Sequence, residues 1–205
     1  MQADLRDHWQ RRYTENTEDT LSWFEAEPRT SLDLIERFGS GPSTSIIDIG
    51  GGASRLVDAL VHARWHDLTV LDLADAALNI AQKRLGATAD GVTWVVADVT
   101  QWRPGRTFDL WHDRAAFHFL TEAADRDAYV DRMKEALRPG AHAIIATFAP
   151  DAPRKCSGLP VRRYDSKSLG QTIGAGFSLV ASQRHEHQTP GGTHQPFTFY
   201  VLRRQ

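Results

Sequence analysis

Three consecutive glycines mark the first stretch of this sequence that could bind a ligand: Gly50, Gly51 and Gly52. They follow a short run of β-branched residues, and a ligand can approach the backbone closely there because glycine has no side chain. A helix that begins after such a turn also offers free backbone N–H groups. Asp48 lies just before the glycines. Its negative charge suits a ligand with a cationic amine better than a pyrophosphate.

Two further acidic residues stand at the ends of the next strand-like runs. Asp72 comes 22 positions after Gly50, where a carboxylate can accept hydrogen bonds from both hydroxyls of a ribose. Asp98 follows the third run and could accept a hydrogen bond from an adenine amino group. We expect the neighbouring Leu73 and Val99 to contact the same ligand. The pattern therefore predicts a site for a nucleoside that also carries an amine.

Dinucleotide binding is the obvious competing interpretation of a glycine-rich turn. Its fingerprint requires a glycine three positions after Gly52, and Arg55 occupies that position. The chain also lacks room for a separate substrate domain, so a nicotinamide enzyme is disfavoured.

Strand-like and helical patterns alternate from about residue 44 to about residue 173, and the elements that they predict must position these acids. Such alternation requires parallel strands joined by right-handed crossovers. We therefore predict an α/β fold: a three-layer α/β/α sandwich around a mostly parallel sheet. Strands are expected at residues 45–49, 68–72, 92–96, 108–111 and 143–148.

The two ends of the chain depart from this alternation. Two strand-like runs, residues 177–187 and 197–203, flank a Pro-Gly-Gly turn and predict an antiparallel hairpin. Residues 1–40 carry aromatic side chains ahead of any core strand, and we define them as the lid segment, separate from a main domain at residues 41–205. Its aromatic residues could cover the ligand site or merely plug the sheet, and they include Trp9, Tyr13 and Trp23.

Composition excludes several functional classes. The 205 residues carry 24 Lys and Arg against 26 Asp and Glu, so the basic excess typical of nucleic-acid binders is missing. Cys156 is the single cysteine, which excludes an internal disulfide or a multi-cysteine metal site. The longest apolar runs are far shorter than a membrane span, and the first residues are polar. We expect a cytoplasmic protein that binds neither nucleic acid nor membrane.

Taken together, residues 40–205 resemble the class I S-adenosylmethionine-dependent methyltransferases. The resemblance rests on the glycine turn with its acids, on the Leu-Arg-Pro-Gly sequence at 137–140 and on the terminal hairpin. The family's third glycine is Ser54 here, and its Pro-Gly-Gly before strand five is Pro-Gly-Ala. The resemblance implies S-adenosylmethionine as cofactor, contacts at Gly50, Asp72 and Asp98, and a seven-stranded sheet whose C-terminal strand is antiparallel.

The end of the fourth strand is expected to face the methyl acceptor. His112, Asp113 and Arg114 lie there, and His118 follows four residues after Arg114. If a helix starts at this point, Arg114 and His118 project from one face. Histidine titrates in the range suited to a general base, so His112 and His118 are candidate catalytic residues. Asp113, between them in the sequence, is a further candidate. The competing interpretation is that Asp113 pairs with Arg114 and that His118 is a packed ring.

This stretch is similar to the thiopurine, thiol and halide branch of the family, in which an Asp-Arg pair follows strand four. That similarity implies that Arg114 reaches the cofactor or the acceptor, and that Trp23 belongs to an aromatic lid over the cofactor.

Two later features are weaker candidates. Cys156, next to Lys155, could have a lowered thiol pKa and bind a soft substrate, although a lone cysteine is more often a buried filler. His185 and His187 share one face of a strand near His194, where a metal pocket is conceivable but a solvated hairpin tip is favoured, so no metal is predicted.

The sequence thus predicts a methyltransferase for a small molecule, with a thiol or another heteroatom slightly favoured as acceptor. A protein-lysine methyltransferase and a non-catalytic cofactor-binding module remain open alternatives. The acceptor and the oligomeric state are left undetermined.

Overall fold

A seven-stranded sheet runs through the centre of the computed structural model, which describes residues 2–205, with side chains from residue 5 onward. Its strands form where β-branched and apolar residues follow one another. They are β1 (Ile46–Ile49), β2 (Leu68–Asp72), β3 (Val92–Val96), β4 (Phe108–Arg114), β5 (Leu137–Phe148), β8 (Phe177–Gln188) and β9 (His194–Arg204). The two-residue strands β6 (Lys155–Cys156) and β7 (Leu159–Pro160) form a separate small hairpin.

Six α-helices surround the sheet. Helix α4 ends at Leu85, because the following Gly86 adopts a positive φ of 58° that terminates the helix. The helices are α1 (Gln2–Glu15), α2 (Arg29–Phe38), α3 (Leu56–His62), α4 (Asp75–Leu85), α5 (Ala123–Ala136) and α6 (Ser166–Ile173).

The strand order β3-β2-β1-β4-β5-β9-β8 confirms the predicted topology. Strands β1 to β5 are parallel, and the C-terminal strand β9 runs antiparallel between β5 and β8. The order reverses between β1 and β4, and in open α/β sheets ligands bind at such a reversal, beyond the carboxyl ends of the strands.

Helices cover both faces of the sheet, which confirms the three-layer sandwich. Alternate strand residues face opposite sides, so two hydrophobic clusters form. One cluster joins α2, α3 and α4 to residues such as Ile46 and Val70, and the other joins α5 and α6 to residues such as Ile47 and Trp111.

Strand β4 is longer than the sequence predicts. It pairs with β1 and β5 as far as Asp113 and Arg114, because both neighbours supply ladder hydrogen bonds along that length. His112 and Arg114 therefore lie on one face of the sheet and Asp113 on the other. A 3₁₀ turn, Phe117–Phe119, follows instead of an α-helix, so Arg114 and His118 do not share a helix face.

The lid segment contributes to two parts of the molecule. Leu34 and Ile35 of α2 are buried in the cluster beside the sheet. Tyr13 and Leu21 instead form a third cluster with small residues that follow the glycine turn and β2, namely Ala53, Ala74 and Ala77. The first part of the lid segment is therefore seated on the elements that carry the predicted ligand site.

Within the described residues, none of the helices combines the length and the apolar character needed to cross a lipid bilayer.

Candidate functional site

A pocket opens at the carboxyl ends of β1 to β4, at the reversal of strand order. Its wall contains most of the predicted cofactor-binding residues: Gly50, Asp72, Leu73, Asp98, Val99, Arg114 and Trp23. The topology thus brings together side chains that lie up to about ninety positions apart in the sequence. Asp48, Gly51 and Gly52 lie next to this wall rather than in it.

The glycine turn has a backbone that other residues could not adopt without strain. Gly50 has φ +65°, and a Cβ atom there would lie 2.8 Å from the Cβ of Ala116. Gly52 has φ +47°, and its Cβ would lie 2.8 Å from the Tyr13 hydroxyl and 3.0 Å from a carboxylate oxygen of Asp72. The turn therefore leaves room for neighbouring polar groups only because side chains are absent.

Asp72 is a buried acid at the base of the pocket. One of its carboxylate oxygens accepts a hydrogen bond from the backbone N–H of Ala74 at 2.8 Å. Burial, together with the nearby negative charge of Asp48, raises the pKa of Asp72 to about 7. Among the described residues, no cationic side chain forms an ion pair with Asp72. A ligand that donates hydrogen bonds would therefore stabilise its ionised form.

Asp98 lies beyond β3 on the same side of the pocket. Its Oδ1 accepts hydrogen bonds from the backbone N–H and the hydroxyl of Thr100, at 2.8 and 2.7 Å. Leu73 and Val99 add apolar surface between the two acids. This combination of an acid and flanking aliphatic side chains suits a flat heteroaromatic group.

Asp48 and His112 form a buried polar chain beneath the glycine turn. His112 Nδ1 lies 2.7 Å from Asp48 Oδ1, and its Nε2 lies 2.9 Å from the Ser31 hydroxyl of α2. The other carboxylate oxygen of Asp48 packs under Gly51. The structure therefore places His112 behind the turn and away from the pocket wall.

Asp113, the second catalytic candidate, is fully buried on the opposite face of the sheet. Its carboxylate accepts hydrogen bonds from the Tyr129 hydroxyl at 2.7 Å and from the backbone N–H groups of Ala116 and Phe117 at 2.9 and 3.0 Å. Burial raises the pKa of Asp113 to about 6. Asp113 does not pair with Arg114, and it fixes the turn whose outer surface, Ala115 and Ala116, lines the pocket.

His118, the third candidate, is a fully buried ring packed among Phe119, Phe148 and Phe197. Burial and the nearby Arg114 charge lower the pKa of His118 to about 3, so the ring is neutral at physiological pH. Its Nδ1 accepts a long hydrogen bond from the backbone N–H of Phe148 at 3.4 Å. The packed-ring interpretation matches this placement.

Arg114 connects the pocket to the lid segment. Its Nη1 donates a hydrogen bond to the Trp23 carbonyl oxygen at 2.9 Å, and its Nη2 lies 3.0 Å from the Glu25 carboxylate. The guanidinium carbon also lies 5.2 Å from the centre of the Phe197 ring. Arg114 thus fixes the backbone that presents Trp23 to the pocket.

Aromatic rings of the lid segment cover the pocket. Trp9 contacts Trp23 and Phe119 edge to face at 5.5 and 5.0 Å between ring centres, and Tyr13 contacts Trp23 at 5.9 Å. All four rings line the pocket. Of the two roles considered for these aromatic residues, the placement favours a cover over the ligand site.

An ionic cluster that the sequence analysis missed fastens this cover. Glu18 forms ion pairs with Arg55, just after the glycine turn, and with Arg84 of α4. Arg84 also donates hydrogen bonds to Asp58 and to the Ala53 carbonyl oxygen. These contacts join residues 37 and 66 positions apart, so local sequence patterns carried no signal for them.

Cys156 lines the pocket. Burial raises the pKa of the Cys156 thiol. Lys155 is exposed and is absent from the groups that affect this pKa. The placement agrees with the buried filler that the sequence analysis favoured rather than with an activated thiolate.

The histidines near the last turn are not a solvated tip. His187 is buried, with 2% of its side chain exposed, and both His187 and His185 contact Glu25 of the lid segment. Only His194 of the three is exposed. The lid segment buries this part of β8, and no local sequence pattern indicated that contact.

Comparison with known proteins supports the same class. Residues 46–140 match the family model described as a methyltransferase domain. Nodulation protein S of Rhizobium tropici is 25% identical over 114 residues, which cover 56% of this chain and 47% of that protein. The trans-aconitate 2-methyltransferase of Yersinia pestis is 33% identical over 107 residues, 51% of this chain and 40% of that enzyme. The chain spans about half the length of the curated relatives it matches.

A solved structure extends the likeness to nearly the whole fold. The 1,6-didemethyltoxoflavin-N1-methyltransferase of Burkholderia thailandensis, with bound 1,6-didemethyltoxoflavin and S-adenosylhomocysteine, superposes with a TM-score of 0.77 at 22% identity. The match covers 99% of this chain and 88% of that one. This fold agrees with the resemblance to class I methyltransferases, and residues 46–140 match the methyltransferase-domain model.

Proposed function

We propose that the protein is an S-adenosylmethionine-dependent methyltransferase that acts on a small molecule. The observation that carries this proposal is the buried acid Asp72, which lacks a cationic partner among the described residues and faces a pocket between the glycine turn and an aromatic cover. Such an acid can accept hydrogen bonds from a ligand in addition to those from backbone N–H groups, and the two hydroxyls of a ribose would provide them.

The residues present fit the cofactor in each of its parts. We assign the ribose to Asp72 and the adenine to Asp98, Leu73 and Val99, while the backbone at Gly50 receives the methionine part. The absence of side chains at the glycine turn is the feature of this structure that permits so close an approach. Bound there, S-adenosylmethionine would supply an electrophilic methyl group.

The chain itself can contribute to methyl transfer by aligning the acceptor with the methyl group and by excluding water from the pocket. Trp9, Trp23 and Phe119 close the pocket on the side away from the sheet, and a site closed in this way holds reactants in line while it removes solvent. Among the residues that the structure describes, no histidine lines the pocket. We therefore infer that the acceptor uses a lone pair available near neutral pH, as a thiol or another compact heteroatom nucleophile does.

The three catalytic candidates become positioning residues in this proposal. Asp113 fixes the turn that forms one wall of the pocket, and His112 supports Asp48 beneath the glycine turn. His118 packs under the same wall. The reacting atoms would meet other groups, among them the Arg114 guanidinium and the aromatic rings of the cover.

The enclosed shape of the pocket favours a small acceptor over a protein chain. A protein-lysine enzyme needs an open groove for its target, whereas this pocket is bounded by Trp9, Trp23 and Phe119.

The test is the formation of S-adenosylhomocysteine, followed by mass spectrometry, from S-adenosylmethionine with three acceptor panels: small thiols, small amines and lysine peptides. Turnover with a small molecule supports the proposal, and turnover with peptides alone overturns it in favour of the lysine enzyme. Calorimetric binding without turnover in any panel would support a non-catalytic binding module. The variant Asp72→Asn serves as the negative control, and Asp7→Asn, on the exposed face of α1, serves as the matched control.

A further inference from the structure

A cluster of three metal-ligating side chains lies outside the pocket, where the lid segment meets β8. His185 Nε2 lies 3.2 Å and His187 Nδ1 lies 3.4 Å from the same carboxylate oxygen of Glu25. One potential ligand atom from each residue lies within 4.8 Å of the other two. The two histidines come from one face of a single strand, and the carboxylate comes from a segment about 160 positions away in the sequence.

We propose that Glu25, His185 and His187 bind a divalent transition-metal ion, and that Zn²⁺ suits this ligand set best. Two imidazoles and one carboxylate form a common set of zinc ligands. Bonds of about 2.0–2.1 Å in tetrahedral geometry place neighbouring ligand atoms about 3.3 Å apart. The two nitrogen-to-oxygen distances in this cluster lie close to that value.

The second ring nitrogen of each histidine is already occupied, as it is in most metal sites. His187 Nε2 donates a hydrogen bond to the Ser22 carbonyl oxygen at 2.8 Å, and His185 Nδ1 lies 3.1 Å from the Thr30 hydroxyl. Such outer contacts orient the rings and leave the other nitrogen for the metal.

The hydrogen bond to Ser22 also limits what can lie between His187 and Glu25. A carbonyl oxygen only accepts, so His187 Nε2 carries the proton. In the neutral ring, Nδ1 then presents a lone pair toward a carboxylate oxygen, which is unfavourable without a positive charge between them. A metal ion bound to both atoms would supply that charge.

Electrostatics at the cluster act in both directions. A surface pocket that reaches these three residues is also lined by acidic side chains that attract cations, namely Asp19, Glu27 and Glu186. The Arg114 guanidinium opposes a cation, because its Nη2 lies 3.0 Å from the same Glu25 oxygen that the two histidines contact. A carboxylate has about four lone-pair positions, so Glu25 can accept from Arg114 and ligate an ion at the same time. The ion would then fasten the lid segment to β8.

The test uses the full-length chain without an affinity tag, stripped of metal with a chelator. Zn²⁺ alone is titrated by calorimetry at pH 7.5, and Co²⁺ alone is followed by its visible d–d absorption. We expect one equivalent to bind and the cobalt spectrum to be that of a four- or five-coordinate ion. Failure to bind one equivalent, or a six-coordinate hydrated spectrum, overturns the proposal.

Variants decide where the metal binds. Glu25→Gln and His185→Asn should weaken Zn²⁺ binding at least about hundredfold, whereas His194→Asn, on the same hairpin but exposed, should leave it unchanged. Thr30→Val removes only the outer contact to His185 and should weaken binding about 10–100-fold. Circular dichroism shows whether each variant is folded. If Glu25→Gln fails to fold, Thr30→Val still tests the site, because it retains all three metal ligands. Unchanged affinity in His185→Asn and Thr30→Val would place the ion elsewhere and overturn the assignment.

Discussion

The variant Asp72→Asn should make the ligand-free protein more stable at pH 8 while it removes cofactor binding. The reason is that Asp72 is buried and lacks a cationic partner among the described residues, so burial raises its pKa from 3.8 to about 7. The folded chain therefore binds this proton more tightly than the unfolded chain does. Its free energy of unfolding then falls as the pH rises from about 4 to about 7.

The size of the effect follows from the size of the pKa shift. With its pKa raised from 3.8 to about 7, Asp72 lowers the free energy of unfolding of the wild-type protein by about 4 kcal/mol at pH 8. At pH 5 it lowers that free energy by only about 2 kcal/mol. Asparagine avoids this cost but loses one accepting oxygen, at a cost of about 1 kcal/mol. The variant should thus gain about 3 kcal/mol at pH 8 and about 1 kcal/mol at pH 5.

Urea denaturation followed by circular dichroism, at several pH values between 5 and 8, measures this difference. Asp98→Asn is the matched control, because it makes the same change at an acid that lines the same pocket but is only half-buried. In calorimetry, Asp72→Asn should weaken S-adenosylmethionine binding at least about hundredfold, since two hydrogen bonds to a charged acceptor are lost. A stability difference that is the same at pH 5 and pH 8 would refute the reasoning.

Three other outcomes follow from the same structure. In the wild-type protein, S-adenosylmethionine affinity measured by calorimetry should fall about tenfold between pH 8 and pH 6. The reason is that the ionised fraction of Asp72, whose pKa is about 7, falls from about 90% to about 10% over this range. An affinity that does not change with pH would contradict the assignment of the ribose to Asp72. Tyr129→Phe should lower the free energy of unfolding by about 1–3 kcal/mol in urea titrations, because the buried Asp113 carboxylate loses a 2.7 Å donor, and an unchanged midpoint would contradict this. Glu18→Gln should speed limited proteolysis near residue 20 about tenfold by freeing the lid segment from Arg55 and Arg84; equal cleavage rates would show that the aromatic contacts alone hold it.

The sheet and the cofactor side of the pocket were predictable from the sequence. β1 and β2 are short apolar runs, the first followed directly by a glycine and the second ending at Asp72, and Asp98 follows β3 after one further residue. Glycine and aspartate at these places indicate where parallel strands end. Because parallel strands end at one edge, Asp72 and Asp98 had to approach each other once the topology was known. Their assignment to the cofactor remains a prediction.

The acceptor side was harder to predict because its contacts are distant in sequence. His112, Asp113 and His118 are close in sequence, which suggested that they form one catalytic group. Side chains alternate along a strand, however, so His112 and Asp113 lie on opposite faces of the sheet, and the His118 ring is fully buried. The partners that decide their roles, such as Ser31 and Tyr129, lie on other elements. Local patterns therefore identified the residue types but not their surroundings.

The aromatic cover has a consequence for the order of events in an enzyme of the kind proposed. Tyr13 lies against Gly52 and Asp72, whereas Trp9 and Phe119 bound the remainder of the same pocket. The same segment therefore covers both ends of the pocket, so both reactants must be bound before the cover is seated over them. Steady-state kinetics should then be sequential rather than ping-pong. Product inhibition by S-adenosylhomocysteine should accordingly be competitive with S-adenosylmethionine and noncompetitive with the acceptor.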